Sequence, residues 1–153
     1  MNIEDNLKKL DIILPTAPNP VGSYVAYRKS NKLVFISGQI SLRSNGELIK
    51  GKVGLDLTIE QGQEAACVCT MNILSQLKIA CNNDFNEVKS CIKITGFVNS
   101  TNDFIDQPKI INGASELIVK IFGDTGKHSR AAVSVNSLPL GAAVEIESIF
   151  ELN

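Results

Sequence analysis

Two charged residues, Arg130 and Glu145, occur where a pair of short β-strands would usually carry apolar side chains. Residues 128–135 and 142–147 alternate in character, and the connection between them contains Pro139 and Gly141. An arginine guanidinium is planar and permanently charged, and it pairs with a carboxylate or phosphate through two parallel hydrogen bonds. The two residues are therefore the first candidates for a site, although a structural ion pair within the sheet is an open alternative.

The single histidine, His128, lies two residues before Arg130 and could titrate near neutral pH. A solvated loop histidine is the alternative. Glu147 has the same strand parity as Glu145, so alternation does not distinguish the two carboxylates. No serine nucleophile arrangement is expected, because only this histidine could serve it and the chain has no G-x-S-x-G motif.

Metal and cofactor chemistry are not expected. The four cysteines, Cys67, Cys69, Cys81 and Cys91, form no C-x-x-C pair. Cys67 and Cys69 are two positions apart in a predicted helix, so their side chains point about 200° apart around its axis. We expect free thiols, mostly buried, rather than a zinc site or a disulfide framework.

Bulk composition limits the class of protein. The chain has 153 residues, of which 44% are hydrophobic, and a formal net charge of −1. This length and composition predict one globular domain over residues 1–153. The scattered lysines argue against a nucleic-acid partner. No apolar run approaches the roughly 20 residues of a membrane span, and the polar N-terminus lacks a signal-peptide core. We therefore expect a cytoplasmic location and no membrane partner.

Local patterns predict the elements that must position these residues. Residues 1–14 have the spacing of a short amphipathic helix, so residues 1–16 would form an N-terminal helical extension and a loop leading into the sheet. Residues 23–28 and 32–40 predict a hairpin. A glycine inside the second strand, Gly38, indicates a bulge or a close backbone approach.

Two helices and three strands follow. Thr58 to Gln61 matches a capping box and begins a helix that extends to about Lys78. Residues 88–98 predict a strand, and Pro108 suits the first turn of a helix that begins near Gln107. The order β-β-α-β-α-β-β predicts an α+β fold, in which a mixed sheet packs two helices on one face.

Several short segments in this order resemble the YjgF/YER057c/UK114 family, also called the Rid or L-PSP endoribonuclease family, over residues 17–152. They are Gly22–Val25, Val34–Ile40, Gly96–Val98 with Asn102–Phe104, Ser129–Arg130, Leu138–Pro139 and Val144–Glu147. The resemblance implies a chorismate-mutase-like (YjgF-like) single-domain fold. It also implies a homotrimer with sites in the clefts between subunits. For the better-known branch it implies cofactor-free deamination of small 2-imino acids such as 2-iminobutanoate and 2-iminopropanoate.

The same resemblance implies roles for individual residues. Arg130 would grip the carboxylate of the substrate and Glu145 would lie near the attacking water. Tyr24 would stand at the mouth of the cleft, and Ser37 and Gly38 would line the pocket. Asn102 would contribute from the loop after the third strand. By sequence alone, Tyr24 could instead be an ordinary sheet aromatic, and Asn102 could cap a turn or a helix.

Three departures suggest a divergent subgroup. Ala132 occupies the position, two residues after Arg130, where the deaminase branch commonly has cysteine, and its side chain should point the same way as the arginine. The segment 46–56 is longer, and Lys127–His128 precedes Ser129 where the deaminase branch is shorter. Because of Ala132, a non-catalytic trimeric module that binds a small carboxylate is the second hypothesis. An endoribonuclease, as the older family name implies, is the third, and the charge balance weighs against it.

Overall fold

The computed structural model describes residues 2–153, which form one five-stranded sheet with its helices on one side. The strands are β1 (Tyr27–Ser30), β2 (Leu33–Ile40), β3 (Val88–Asn99), β4 (Ser129–Val135) and β5 (Val144–Leu152). The helices are α1 (Ile3–Lys9), α2 (Ile59–Ala80) and α3 (Gln107–Phe122). Short 3-10 turns occupy Phe85–Glu87, Gly123–Gly126 and Pro139–Gly141.

The sheet has the spatial order β1-β2-β5-β3-β4. Strands β3 and β4 are parallel, while the other neighbours are antiparallel. A parallel pair needs a crossover connection, and α3 provides it. The predicted α+β fold with a mixed sheet is therefore confirmed. One consequence was not predicted: β3 lies between β4 and β5, the two strands that carry Arg130 and Glu145.

Helices α2 and α3 bury their apolar stripes against one face of the sheet. The capping box at Thr58 and Gln61 is formed, and Pro108 lies in the first turn of α3, as predicted. The α3 stripe is fully buried at Ile110, Ile111, Ala114, Ile118 and Ile121. At Gly113 a Cβ atom would lie 2.9 Å from the backbone carbonyl carbon of Gln63. A residue without a side chain thus lets α2 and α3 approach closely.

Two predicted boundaries are wrong for physical reasons. The N-terminal helix covers only Ile3–Lys9 rather than 1–14, because the backbone at Asp11 has a positive φ of 53°; Met1 lies outside the described residues. The first strand begins at Tyr27 rather than at residue 23. The Ser37 amide still donates to the Ala26 oxygen in the register of β1 and β2. The Val25 oxygen instead accepts from the Ser37 hydroxyl, so regular pairing between the two strands ends at this point.

Candidate functional site

A bulge in β2 brings the backbone of Gly38 against Glu145 of β5. The register between the two strands shifts between Ile36 and Gln39, which leaves Gly38 unpaired in the ladder. A Cβ atom at Gly38 would collide with the Glu145 carboxylate. The neighbouring Ser37 donates its hydroxyl to the Val25 oxygen at 2.7 Å. Glycine at this position therefore makes room for the carboxylate, and Ser37 holds the segment that precedes β1.

A cavity of about 490 Å³ opens beside this bulge. Its wall includes Tyr24, Gly38, Gln39, Asn72, Leu140 and Glu145. Tyr24 is 52% exposed, and its hydroxyl oxygen accepts a hydrogen bond from the Val21 amide at 3.3 Å, so its ring stands at the rim. No lysine or arginine lines the cavity, and Glu145 is the one acidic residue among its described lining residues.

The environment of Glu145 raises the pKa of its carboxyl group, so this group binds a proton more readily than an exposed glutamate does. Burial raises the pKa of this carboxyl above its usual value, and the negative charge of Glu147 raises it further. Removing a charged group from water disfavours the charged form, and a like charge has the same effect. A carboxyl tuned in this direction can hold a proton nearer to neutral pH and pass it to a ligand.

Arg130 lies on the edge strand β4 and points toward α3. Its register partner Ile94 is fully buried on the helix side of the sheet. The Nη1 atom donates to Asn112 Oδ1 at 2.9 Å and to Ser115 Oγ at 3.1 Å. Both partners are neutral, and the ion pairs within residues 2–153 do not include Arg130. No carboxylate of residues 2–153 therefore compensates the positive charge of this exposed guanidinium.

His128 joins the same cluster. Its Nδ1 atom lies 2.6 Å from the Gly126 backbone oxygen, and its Nε2 atom lies 3.0 Å from Ser115 Oγ. Ser115 thus connects the histidine to Arg130. Ser115 lies in the middle of α3, and no sequence motif marks it.

Arg130 and Glu145 do not meet within one chain. Arg130 is in register with Ile94 of β3, whereas Glu145 is in register with Phe97, three residues further on. An offset of three residues places two side chains on opposite faces of a sheet. With β3 between them, their Cα atoms are about 14 Å apart at ordinary strand spacing and rise. The structural ion pair that the alternation left open is therefore not formed in the chain.

Two further candidates, Ala132 and Asn102, lie away from the cavity. Ala132 shares the face of Arg130, as the alternation predicted, and its methyl group packs against the core. Asn102 is exposed in the turn after β3 and makes no hydrogen bond with residues 2–153. The residue that precedes α3 is Asp106, so Asn102 does not cap this helix. Neither residue lines the cavity at Glu145.

The cysteines and acidic residues create no further reactive group. All four thiols are free, and only Cys67 is not fully buried. Burial raises the pKa of Cys91 to about 12 and that of Cys81 to about 11, so these thiols stay protonated. Within residues 2–153, no three His, Cys, Asp or Glu side chains are grouped as metal ligands. The helices of this same range are each too short or too polar to cross a membrane.

The sequence matches one family over residues 4–152, described as "YjgF/chorismate_mutase-like, putative endoribonuclease". The chain is 42% identical over 149 residues to protein TCP17 of Trypanosoma cruzi, which covers 97% of this chain and 92% of that protein. It is 31% identical to the 2-iminobutanoate/2-iminopropanoate deaminase of Mus musculus, and the match covers 87% of this chain and 84% of that protein. The crystal structure of protein Atu1372 from Agrobacterium tumefaciens, of unknown function, superposes with a TM-score of 0.92 at 42% identity, covering 99% of this chain and 92% of that one.

Proposed function

The chain belongs to the YjgF/YER057c/UK114 (Rid) family, and on this premise we propose that it is a cofactor-free hydrolase of small 2-imino or enamino carboxylic acids. The active form would be a cytoplasmic homotrimer whose sites lie in the clefts between subunits. Each site would combine Arg130 of one copy with the Glu145 cavity of a second copy.

One observation carries the proposal: within residues 2–153, a cation without a carboxylate partner and a cavity whose acidic residue has no cationic partner lie on opposite faces of the sheet. Arg130 has only neutral partners, Asn112 and Ser115. The cavity around Glu145 has no cationic residue in its wall. A ligand with a carboxylate at one end and a protonated imine at the other complements both charges. A second copy is needed to bring them together, since the two residues face apart within one chain.

This arrangement suits hydrolysis of an imine. Water adds to the carbon of the C=N bond, the nitrogen gains a proton, and the carbinolamine then collapses to a 2-oxo acid and ammonia. Arg130 would hold the substrate carboxylate through two parallel hydrogen bonds, which fixes the orientation of the imine carbon. Glu145 would take a proton from the attacking water and return it to the departing nitrogen, a role that its raised pKa supports.

The other candidate residues would shape this site. Tyr24 would close the rim of the cavity. Ser37 and Gly38 would set the position of Glu145. Asn102, exposed in the turn after β3, would contact the ligand across the cleft. His128 would act indirectly, through Ser115, which contacts both His128 and Arg130. The mouse relative, at 31% identity, bears the name of this activity, which supports the choice of substrate class.

Ammonia release tests the proposal. Purified protein is incubated with 2-imino acids generated in place by an amino-acid oxidase, and the rate of ammonia release is compared with the uncatalysed rate. We expect acceleration by the wild-type protein, loss of it in Arg130→Ala, and no change in Lys89→Ala. Lys89 is a matched control because it is an exposed cation at the start of β3, and it pairs with Glu151 of β5. An unaccelerated rate beside an active family member would reject the enzymatic claim.

Ala132 favours a second candidate, a module that binds a small acid without turning it over. The alanine methyl group offers neither a hydrogen bond nor a thiol beside Arg130. Calorimetric titration with 2-oxobutanoate distinguishes the two functions. Tight binding without accelerated ammonia release would support the binding module, whereas turnover would support the hydrolase.

A further inference from the structure

We propose that Ser115 and Asn112, with His128 behind them, are positioning residues that hold the Arg130 guanidinium and leave only its Nε–Nη2 edge for the carboxylate of a ligand. The proposal rests on the proposed function in that it takes Arg130 as the acid-binding residue. It adds how the arginine is oriented and which edge of it binds.

The directions of the hydrogen bonds follow from what each atom can do. The Gly126 oxygen can only accept, so the His128 Nδ1 atom carries the proton in that 2.6 Å contact. With the imidazole neutral, Nε2 is an acceptor and the Ser115 hydroxyl donates to it across 3.0 Å. The Ser115 oxygen is then free to accept from Arg130 Nη1, which is 3.1 Å away. Each group in this series of hydrogen bonds therefore has one consistent role as donor or acceptor.

Both protons of Nη1 are used in this arrangement. One goes to Ser115 Oγ and the other to Asn112 Oδ1. A guanidinium has five N–H donors in a rigid plane. Three remain, on Nε and Nη2, and the side that these two atoms share is the one that can bind a carboxylate with two parallel bonds.

Neutral partners make this an arrangement for binding rather than for stability alone. An aspartate or glutamate at position 112 or 115 would hold the guanidinium as firmly but would cancel its charge. The amide and the hydroxyl orient the side chain and leave that charge for the ligand. An exposed arginine on an edge strand otherwise samples many rotamers, and restricting them in advance lowers the entropic cost of binding.

The first measurement needs no ligand. The order parameter of the Arg130 Nε–Hε vector is measured by NMR relaxation in the wild-type protein, in Ser115→Ala and in Ser115→Thr. We expect a rigid vector in the wild type, a value below about 0.6 in Ser115→Ala, and recovery in Ser115→Thr, which restores the hydroxyl. An equally rigid Arg130 in Ser115→Ala would overturn the proposal whatever the protein binds.

The second measurement is the Kd for 2-oxobutanoate, a stable 2-oxo acid. Ser115→Ala should weaken binding about 10- to 150-fold, the range that a lost hydrogen bond to a charged group gives. In the Arg130→Ala background the same change should have no effect, since Ser115 acts through Arg130. An equal loss in both backgrounds would indicate a merely structural serine. If the wild type binds no 2-oxobutanoate while Arg130 mobility responds as expected, the proposed function fails and the positioning role stands.

Discussion

Mixing two inactive variants should restore activity if Arg130 and Glu145 of one site come from different copies of the chain. In Arg130→Ala every site lacks its carboxylate anchor, and in Glu145→Gln every site lacks its proton-transfer group. Because the two residues face opposite sides of the sheet, neither variant repairs the other inside one chain. A copy that carries Arg130→Ala still presents an intact cavity, and a copy that carries Glu145→Gln still presents an intact arginine.

The size of the recovery follows from the geometry of a closed ring. In a cyclic oligomer each interface pairs the Arg130 face of one copy with the Glu145 face of the next. After random mixing at equal concentrations, half of the copies offer a native Arg130 and half offer a native Glu145. About a quarter of the interfaces then combine both native residues, and this fraction is the same for rings of any size.

The assay is ammonia release after the variants are mixed, dissociated in mild urea and reassociated by dialysis. We expect about a quarter of the wild-type rate from the mixture and almost none from either variant treated alone. A mixture without dissociation is the control for simple addition of residual activities. A reassociated mixture that stays inactive, while wild-type protein recovers through the same treatment, would refute the shared site.

Three further predictions concern the Glu145 cavity and the helix packing. Glu145→Gln should raise the Tm at pH 7 and leave it unchanged below pH 4.5, because a raised pKa contributes stability that is present below the usual value of 4.5 and is lost as the pH rises through the folded value; a Tm difference that grows toward low pH would contradict this. Gly38→Ala should abolish ammonia release in a folded protein, because its Cβ displaces the Glu145 carboxylate; an active variant would argue against this contact. Gly113→Ala should lower the free energy of unfolding by about 1–3 kcal/mol, because it forces α2 and α3 apart; urea denaturation measures this, and an unchanged midpoint would contradict it.

Local signals in the sequence were sufficient for most of the fold. Thr58 with Gln61 marks the start of α2, and Pro108 marks the first turn of α3. Both are signals that act within a few residues. The start of β1 could not be predicted in this way, because the Val25 oxygen accepts from the hydroxyl of Ser37 on the neighbouring strand and not from a backbone amide. That contact is tertiary, and the alternation of neither strand indicates it.

The candidate site was predicted in its parts and not in its arrangement. Alternation identified Arg130 and Glu145 as unusual, and it placed Ala132 on the side of the arginine. It could not reveal that β3 lies between β4 and β5, because strand order depends on the crossover through α3. Asn112 and Ser115 were missed because polar residues spaced three apart on an amphipathic helix are also typical of a solvated face.

Arg130 lies on β4, an edge strand of the sheet. One side of β4 pairs with β3, so its other side presents unpaired backbone groups. Such an edge is a ready surface for association with a second chain. Arg130 stands on this same strand, exposed and without a carboxylate partner. A protein that used Arg130 only for stability would gain most by pairing it within the chain. The neutral side chains of Asn112 and Ser115 instead orient the guanidinium and leave its charge uncompensated. That charge lies at the edge where, in the proposed assembly, a second copy would bring its Glu145 cavity.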